Sequence, residues 1–322
     1  MIFVGVDWAE AHHDVCLLDE GGGILGKRRI GDTVQGLRDL HELIAEHCEE
    51  PEEVAVGIEK DRGLVVTSLV ASGFTVYAIN PMAASRYRDR HTTSGAKSDP
   101  GDAKMLADLV RTDRHNHRAV AGDSTLAEAV KILARGHQNA VWSRQRQVNA
   151  LRNSLKDYYP GALEAFGTDL ASRDAVAVLA AAPTPTIGRA MTKANLVNVL
   201  KAAGRQRYLD QRAEQIQVAL RAEQMSQPAV LEGAYGRITA STIRVIEQLT
   251  HEVTDLESAL AEHFETHPDA KIILFLPGLG MTLGARVLGE VGDDPNRYSD
   301  AKSRRTYGGT SPITQSPGRS RT

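Results

Sequence analysis

The first third of the chain alternates between strand-like and helix-like patterns of apolar residues. Short apolar runs bounded by turn residues predict five strands, at residues 1–7, 14–19, 24–30, 54–59 and 75–79. Apolar residues recurring every three or four positions predict helices at 37–48 and 64–71, followed by a third that opens at Asp99. This β-β-β-α-β-α-β-α order predicts a mixed α/β domain.

Four carboxylates stand where these patterns make a charge costly. Asp7 and Glu59 each end an apolar strand, and desolvating an unpaired carboxylate costs several kcal/mol or more. Asp99 and Asp102 open the third helix, and their i,i+3 spacing places them on one face of it. A local interpretation makes Asp99 an N-cap before Pro100, with Asp102 a first-turn acid favoured by the helix dipole.

The alternative interpretation brings all four carboxylates together at one metal site. Converging carboxylates repel one another unless cations neutralise them, and hard oxygen ligands select Mg²⁺ or Mn²⁺. Two such ions roughly 3.5–4 Å apart form the clamp used in phosphoryl displacement. The strand order, with acids at these positions, is the arrangement of the ribonuclease H-like fold.

Helical spacing dominates the rest of the chain, starting with a long helix at 124–157. A second long helix with a coiled-coil-like seam is predicted between Ile246 and Leu260, and it pairs either with the first or with a second subunit. Residues 130–156 hold six Lys or Arg and no Asp or Glu, which favours a polyanionic partner over a merely solvated face. The candidate contacts are Arg144, Arg146 and Arg152. Residues 165–235 are predicted to be helical, with no assignable role.

Two further segments of the chain, 80–96 and 301–322, are rich in basic residues. Residues 80–96 carry Arg86 and Arg88 with a single acid, which fits either a solvated linker or a contact to a nucleic-acid backbone beside the metal site. Residues 301–322 are basic, contain no acid and are rich in Ser, Thr, Gly and Pro. Residues 80–96 therefore remain a candidate for binding a polyanion.

A glycine-containing turn separates two apolar helical patterns near the end of the chain, Leu276-Pro277-Gly278-Leu279-Gly280. It is similar to a helix-hairpin-helix, in which Gly278 and Gly280 let backbone N–H groups approach a phosphate at the next helix N-terminus. A plain turn between two helices is the alternative interpretation. The motif alone does not choose between them.

Composition restricts the class of protein but does not identify it. The 322 residues, of which 42% are hydrophobic, are enough for two or three domains, predicted at 1–123, 124–265 and 266–322. A net charge of −3 excludes a uniformly basic protein without excluding local basic patches. Cys16 and Cys48 offer no disulfide framework. With no membrane-length apolar run and no signal-peptide pattern, we expect a cytoplasmic protein without membrane contact.

Five motifs taken in order resemble one family, the DEDD-type transposases of the insertion sequence 110 family, relatives of the pilin-gene inversion recombinase. The similarity extends from residue 1 to about residue 318. Its most specific part is the stretch from Lys97 to Ala103 combined with Asp7, the acid of the first strand. The motifs are Gly5-Val6-Asp7-Trp8-Ala9, Ile58-Glu59, Lys97-Ser98-Asp99-Pro100-Gly101-Asp102-Ala103, Leu276-Pro277-Gly278-Leu279-Gly280 and Tyr307-Gly308-Gly309-Thr310-Ser311-Pro312-Ile313-Thr314.

The resemblance implies an enzyme of DNA transposition that cleaves and rejoins strands. It implies an N-terminal ribonuclease H-like domain of the RuvC type, whose four magnesium-binding acids match Asp7, Glu59, Asp99 and Asp102. It also implies a serine nucleophile in the C-terminal part and a structured non-coding guide RNA that pairs with donor and target DNA. Apart from the resemblance, the seam of the long helices predicts a homo-oligomer, dimer or tetramer.

The sequence departs from the family pattern near its end. The family serine directly precedes a glycine, whereas here Pro317 occupies that position and Ser316 lies one residue earlier. Either Ser316 serves as the nucleophile, or the chain is a truncated, inactive copy that only binds nucleic acid. A remote alternative is a sugar-kinase or actin-type ATPase, whose opening strand and hairpin are similar. That class needs a second glycine-rich phosphate loop, which this sequence lacks.

Overall fold

The chain forms an α/β unit, Met1–Gly122, and a helical unit, Asp123–Thr322. The computed structural model describes residues 1–91, 98–117, 119–120 and 122–311. The predicted layout, an α/β region followed by a mainly helical one, is confirmed. The finer division of the helical part at residue 265 stays a prediction.

A single five-stranded sheet organises the α/β unit. Its strands lie in the order β3-β2-β1-β4-β5, with β2 antiparallel to both of its neighbours and β1, β4 and β5 mutually parallel. All five predicted strands form, with bounds shifted by at most two residues. They are β1 (Ile2–Trp8), β2 (His12–Leu18), β3 (Ile24–Gly31), β4 (Val54–Ile58) and β5 (Thr75–Ala78).

Four helices accompany the sheet: α1 (Val34–Ala45), α2 (Leu64–Ala71), α3 (Pro81–His91) and α4 (Asp99–Asp113). The sequence predicts no helix where α3 lies, because its charged residues suggest a linker. Two features explain the helix. The Asn80 side chain accepts a hydrogen bond from the Met82 N–H at 2.8 Å, as a cap does. Ala84 and Tyr87, spaced for one helix face, join the apolar core beneath α4.

The two faces of the sheet carry separate apolar cores. Val4 and Val6 of β1 pack with α1 and α2, whereas Phe3 packs on the opposite face with α4. The α4 backbone lies directly on the sheet at two glycines. A Cβ at Gly5 would overlap the carbonyl oxygen of Ala103, and a Cβ at Gly57 would approach the Leu106 carbonyl oxygen within 2.8 Å. Glycine therefore permits the close approach of α4.

Ten helices are described in the helical unit. They are α5 (Thr125–Tyr158), α6 (Pro160–Phe166), α7 (Arg173–Ala181), α8 (Pro185–Ala190), α9 (Lys193–Ala202), α10 (Leu209–Arg221), α11 (Ala229–Glu265), α12 (Ala270–Leu274), α13 (Met281–Val291) and α14 (Ala301–Tyr307). None of the helices in the described ranges is both long and apolar enough to cross a membrane.

The long helices α5 and α11 run antiparallel and pack on each other. Val130 of α5 shares one apolar core with Leu260 of α11, whereas Leu155 of α5 shares the other with Ile243. Of the two pairings left open by the sequence, this one lies within a single chain. Helix α11 starts at Ala229, well before the predicted seam, because its first turns pack against the smaller helices of the unit.

Candidate metal and nucleic-acid site

The ends of two neighbouring parallel strands bring two of the predicted acids together. In the β1–β4 register Val6 pairs with Ile58, so the next residues, Asp7 and Glu59, leave the sheet at the same level. Side chains alternate along a strand, and both acids therefore lie on the face that α4 covers. Both are partly buried.

Helix α4 runs antiparallel to β1. Ala103 meets Gly5, and just past the end of the helix the guanidinium carbon of Arg114 lies 5.2 Å from the ring centroid of Phe3. The amino end of α4 is therefore at the carboxyl end of β1, where Asp7 and Glu59 lie. This direction brings the first turn of α4, with its two acids, to the same edge of the sheet.

The two acids of α4 differ in environment. Asp102 is buried, and its Oδ1 lies 2.8 Å from Nη2 of Arg88 on α3. Asp99 is about half exposed. The interpretation of Asp99 as the N-cap is wrong: the first backbone hydrogen bond of the helix runs from the Asp102 N–H to the Ser98 carbonyl, so Ser98 is the cap and Asp99 the first helical residue.

A fifth carboxylate, which the sequence reasoning missed, joins this edge. Asp14 of β2 pairs in register with Asp7 and is buried. Its carboxylate accepts hydrogen bonds from Nε of Arg29 at 3.2 Å and from Nη2 at 2.8 Å, and this bonding raises the pKa of the Arg29 guanidinium. Nη2 of Arg29 also lies 3.7 Å from Asp99. The available signal was an acid inside an otherwise apolar strand.

The donors at this edge fit a divalent cation. His12, Asp14 and Asp99 each offer one ligand atom, and these three atoms lie within 4.8 Å of one another. Nε2 of His12 is 4.0 Å from Oδ2 of Asp99. Carboxylate oxygens are the ligands that Mg²⁺ and Mn²⁺ prefer, and imidazole also suits first-row metals.

The predicted nucleic-acid contacts occupy different environments. Arg86 is exposed on α3, whereas Arg88 is held in its ion pair with the buried acid of α4. On α5, Arg146 is exposed and donates to the Ser143 hydroxyl at 2.9 Å, and Arg144 is half-buried. Arg152 donates to a backbone carbonyl, that of Gly167. Among these five arginines, Arg86 and Arg146 are therefore the exposed ones.

The glycine turn joins α12 to α13. Gly278 has a φ of +82°, a conformation that favours glycine, and Gly280 is the N-cap residue of α13. A Cβ at either position would meet nothing within 4 Å, so the backbone here is open. The predicted nucleophile, Ser316, and the neighbouring Pro317 lie outside the described residues.

Comparison with known proteins identifies the class as transposases. The family model of DEDD transposases of the IS110 type matches residues 4–160, and that of transposases of the IS116/IS110/IS902 family matches residues 270–322. The mini-circle putative transposase for IS117 of Streptomyces coelicolor is 44% identical over 99% of this chain and 78% of its own length. The chain belongs to the IS110 family of transposases.

Two further relatives extend the comparison. A putative transposase, y4uE, of Sinorhizobium fredii is 32% identical over 62% of this chain and 56% of its own length. An uncharacterized 44.8 kDa protein of insertion element IS116 from Streptomyces clavuligerus is 26% identical over 99% of this chain and 78% of its own length. The chain is thus an enzyme of transposition that acts on DNA, which replaces the alternative of a sugar-kinase or actin-type ATPase.

Proposed function

We propose that the α/β unit is a ribonuclease H-like catalytic domain of the RuvC type, in which Asp7, Glu59, Asp99 and Asp102 hold Mg²⁺ or Mn²⁺ for DNA strand cleavage and rejoining. One observation carries the proposal. The ends of two adjacent parallel strands and the first turn of the helix packed across them bring the four acids to one edge of the sheet. The strand order β3-β2-β1-β4-β5 supports the same fold.

The residues of this chain hold the site in two ways. Arg88 fixes the rotamer of the buried Asp102 through its ion pair, and Asp7 and Glu59 are set by the strand register. A bound divalent cation would neutralise the carboxylates and stabilise the negative charge that develops on a phosphate during displacement. Charge neutralisation also explains how acids can gather at one edge.

We also propose that Ser316 supplies the nucleophile that joins to the DNA phosphate. As the serine oxygen bonds to phosphorus, its proton passes to solvent and the phosphorus–oxygen bond to the leaving DNA strand breaks, so that this strand departs with a free hydroxyl. A cation held by the acids would stabilise the charge that develops on the phosphate. The proposal rests on the family resemblance of the segment and on the match of the second family model through residue 322. If Ser316 does not react, the remaining activity is nucleic-acid binding, as the alternative of an inactive copy requires.

The nucleic-acid partners are proposed to be the DNA sites and a structured guide RNA. The basic, acid-free stretch 130–156 of α5, with Arg146 exposed on it, supports a polyanion contact. Copies of the chain are proposed to associate through the long helices. Exposed apolar side chains on both helices support this association: Ile132 and Trp142 on α5, Ile238 and Val245 on α11.

The test separates metal binding from strand transfer. Purified chain is incubated with guide RNA, paired DNA sites and Mg²⁺ or EDTA, and the products are scored for cleaved strands and for a covalent protein–DNA adduct. Cleavage is expected in Mg²⁺ and not in EDTA, and D7N and E59Q should abolish it together with Mn²⁺ binding measured by electron paramagnetic resonance. The control D39N removes a carboxylate from α1, on the opposite face of the sheet.

The role of Ser316 is tested separately, by whether the covalent protein–DNA adduct forms. An adduct that disappears in S316A supports the nucleophile, whereas an adduct that persists in S316A excludes it. Mn²⁺ binding unchanged in both D7N and E59Q would overturn the four-acid site. Nucleic-acid binding without cleavage or adduct in any metal would favour the inactive copy.

A further inference from the structure

Arg29 lies beside the acidic edge, meaning the edge of the sheet where Asp7, Glu59, Asp99 and Asp102 lie. It is held there by Asp14, a carboxylate that is not one of the predicted four. Its Nε and Nη2 form a two-pronged pair with Asp14, at 3.2 and 2.8 Å, and Asp14 is only 7% exposed. The pair joins β3 to β2 at a register position, Asp14 opposite Arg29. The guanidinium is therefore held by the sheet itself, with a fixed direction.

The distances identify Asp14, not Asp99, as the partner that orients Arg29. Asp99 lies 3.7 Å from Nη2, beyond hydrogen-bond length, whereas Asp14 is engaged by two nitrogens at bonding distance. A guanidinium carries five N–H donors, and the bonds to Asp14 use two of them. Arg29 is 54% exposed. Its remaining donors face solvent beside the site.

Two lysines extend this positive charge along the same face. Lys27 lies two residues before Arg29 on β3, so both side chains point to the face covered by α4. Lys104 is exposed on the first turns of α4. Lys27 pairs in register with Cys16 on β2, and Ala103, the neighbour of Lys104 on α4, shares an apolar core with Cys16. Within the described ranges neither lysine has a recorded ion pair.

We propose that Arg29, Lys27 and Lys104 bind the phosphodiester backbone of the DNA strand that enters the acidic edge, with Asp14 as the residue that positions Arg29. This inference rests on the proposed catalytic function of that edge. Arginine held on one side by a buried carboxylate presents a planar set of donors that matches a phosphate. The acids alone would repel DNA, and adjacent cations offset that repulsion.

The experiment measures binding of a fluorescein-labelled DNA duplex by the full chain in EDTA, over a series of salt concentrations. Without metal, the result does not depend on whether the four acids bind Mg²⁺. Each lost phosphate contact makes the slope of log K against log salt less negative by about 0.9. At about 0.1 M salt this change corresponds to a roughly eightfold loss of affinity. This loss is expected for R29Q, and K27Q and K104Q should act in the same direction.

The matched control is R28Q, which removes the same charge from the adjacent residue. Arg28 points to the other face, where it donates to the Asp39 carbonyl at 3.1 Å. D14N provides a second readout, because it removes a negative charge, which alone would strengthen DNA binding, yet it should weaken binding if Asp14 orients Arg29. Thermal unfolding of each variant separates loss of folding from loss of contact.

Three outcomes would overturn the proposal. The first is an unchanged salt slope in R29Q, or an equal loss in R28Q. The second is tighter Mn²⁺ binding in R29Q with unaltered DNA binding, since Arg29 would then be only a counter-ion of Asp99. The third is a loss of affinity for a labelled RNA hairpin but not for DNA. If D7N or E59Q leaves Mn²⁺ binding unchanged, that result counts against the four-acid metal site. It does not affect the proposed DNA contacts of Arg29, Lys27 and Lys104.

Discussion

Nη2 of Arg88 lies 2.8 Å from Oδ1 of Asp102, so a predicted nucleic-acid contact is bound to a predicted metal ligand. Helix α3 therefore holds in place one of the four predicted metal-binding acids, the one buried on α4. The pair is largely buried, with Asp102 7% and Arg88 22% exposed. In such a pair, removal of one partner leaves the other charge poorly solvated.

We therefore expect R88Q to lower the free energy of unfolding by about 2–4 kcal/mol. The measurement is urea unfolding of the metal-free chain, followed by circular dichroism. The control is R90Q, since Arg90 is exposed two residues further along α3 and has no recorded ion pair within the described residues. Equal midpoints for R88Q and R90Q would show that the ion pair does not stabilise the fold.

The close contact of α4 with the sheet predicts a large effect of one methyl group. G5A places a Cβ against the backbone carbonyl of Ala103, where neither the strand nor the helix can move freely. We expect a loss of about 3 kcal/mol or more. In G136A, on α5, the added Cβ meets nothing within 4 Å, and a gain of about 0.5–1 kcal/mol is expected. Thermal and urea unfolding give both values, and a stable G5A would contradict the packing.

Two adjacent buried tyrosines should respond oppositely to loss of their hydroxyl. The Tyr158 hydroxyl lies 2.7 Å from the Thr239 hydroxyl and 2.6 Å from the Pro183 carbonyl, and burial raises its pKa to about 12. In Y158F the Thr239 hydroxyl and the Pro183 carbonyl lose their contact with the Tyr158 hydroxyl, and the free energy of unfolding should fall by about 1–3 kcal/mol. The Tyr159 hydroxyl is buried with no hydrogen-bond partner in the described part of the chain.

Y159F is therefore expected to be neutral or slightly stabilising, because no hydrogen bond is lost and a buried polar atom is removed. Parallel chemical denaturation of Y158F, Y159F and the parent chain compares the two sites under identical conditions. A Y159F chain that is as unstable as Y158F would indicate a water-mediated bond at Tyr159. That result would contradict the expected asymmetry.

An ion pair between α5 and α13 predicts a dependence of stability on pH. Arg135 donates from Nε and Nη2 to the two carboxylate oxygens of Glu290, each at 3.0 Å, and these bonds hold the pKa of Glu290 below its ordinary value of 4.5. A depressed folded-state pKa contributes stability above pH 4.5, which is lost as the pH falls through that lower pKa.

The difference in stability between the parent chain and E290Q should therefore shrink as the pH falls below 4.5. Because both side chains are about a third to a half exposed, the full difference is expected to stay below about 1 kcal/mol. The measurement is urea unfolding from pH 7 to pH 3, with E247Q on the exposed face of α11 as the control. A difference that grows at low pH would have the wrong sign.

Local pattern was sufficient for much of the α/β unit. The apolar runs that predict β1 and β4 are buried on both faces, so their sequences show little alternation and end sharply at Asp7 and Glu59. The same pattern shows Asp14 as an acid beside an apolar run, but it does not show what Asp14 pairs with. Its role depends on the register with Asp7 on one side and Arg29 on the other, which are contacts between strands.

Local sequence pattern was also insufficient to predict part of the helical unit. The start of α11 was missed because its first turns have exposed apolar residues, such as Val230 and Leu231, alongside the small Gly236 that packs against Thr184. These positions do not form a regular apolar stripe. These turns instead contact the start of α8, where the Thr186 N–H donates to the Glu232 carboxylate, and no local pattern relates that segment to α11. Residues that act through distant partners are therefore recognised only once the chain is folded.

The contact of α4 with Gly5 and Gly57 also restricts how the chain can vary in length. Each residue added to a helix turns everything before it by about 100° and shifts it by about 1.5 Å. An insertion between Asp102 and Ala103 would leave the helix seated on its glycines but rotate Asp99 and Asp102 away from Asp7. Among relatives, we therefore expect gaps to avoid residues 99–107 and to concentrate in connecting segments, whatever substitutions the rest of the helix accepts.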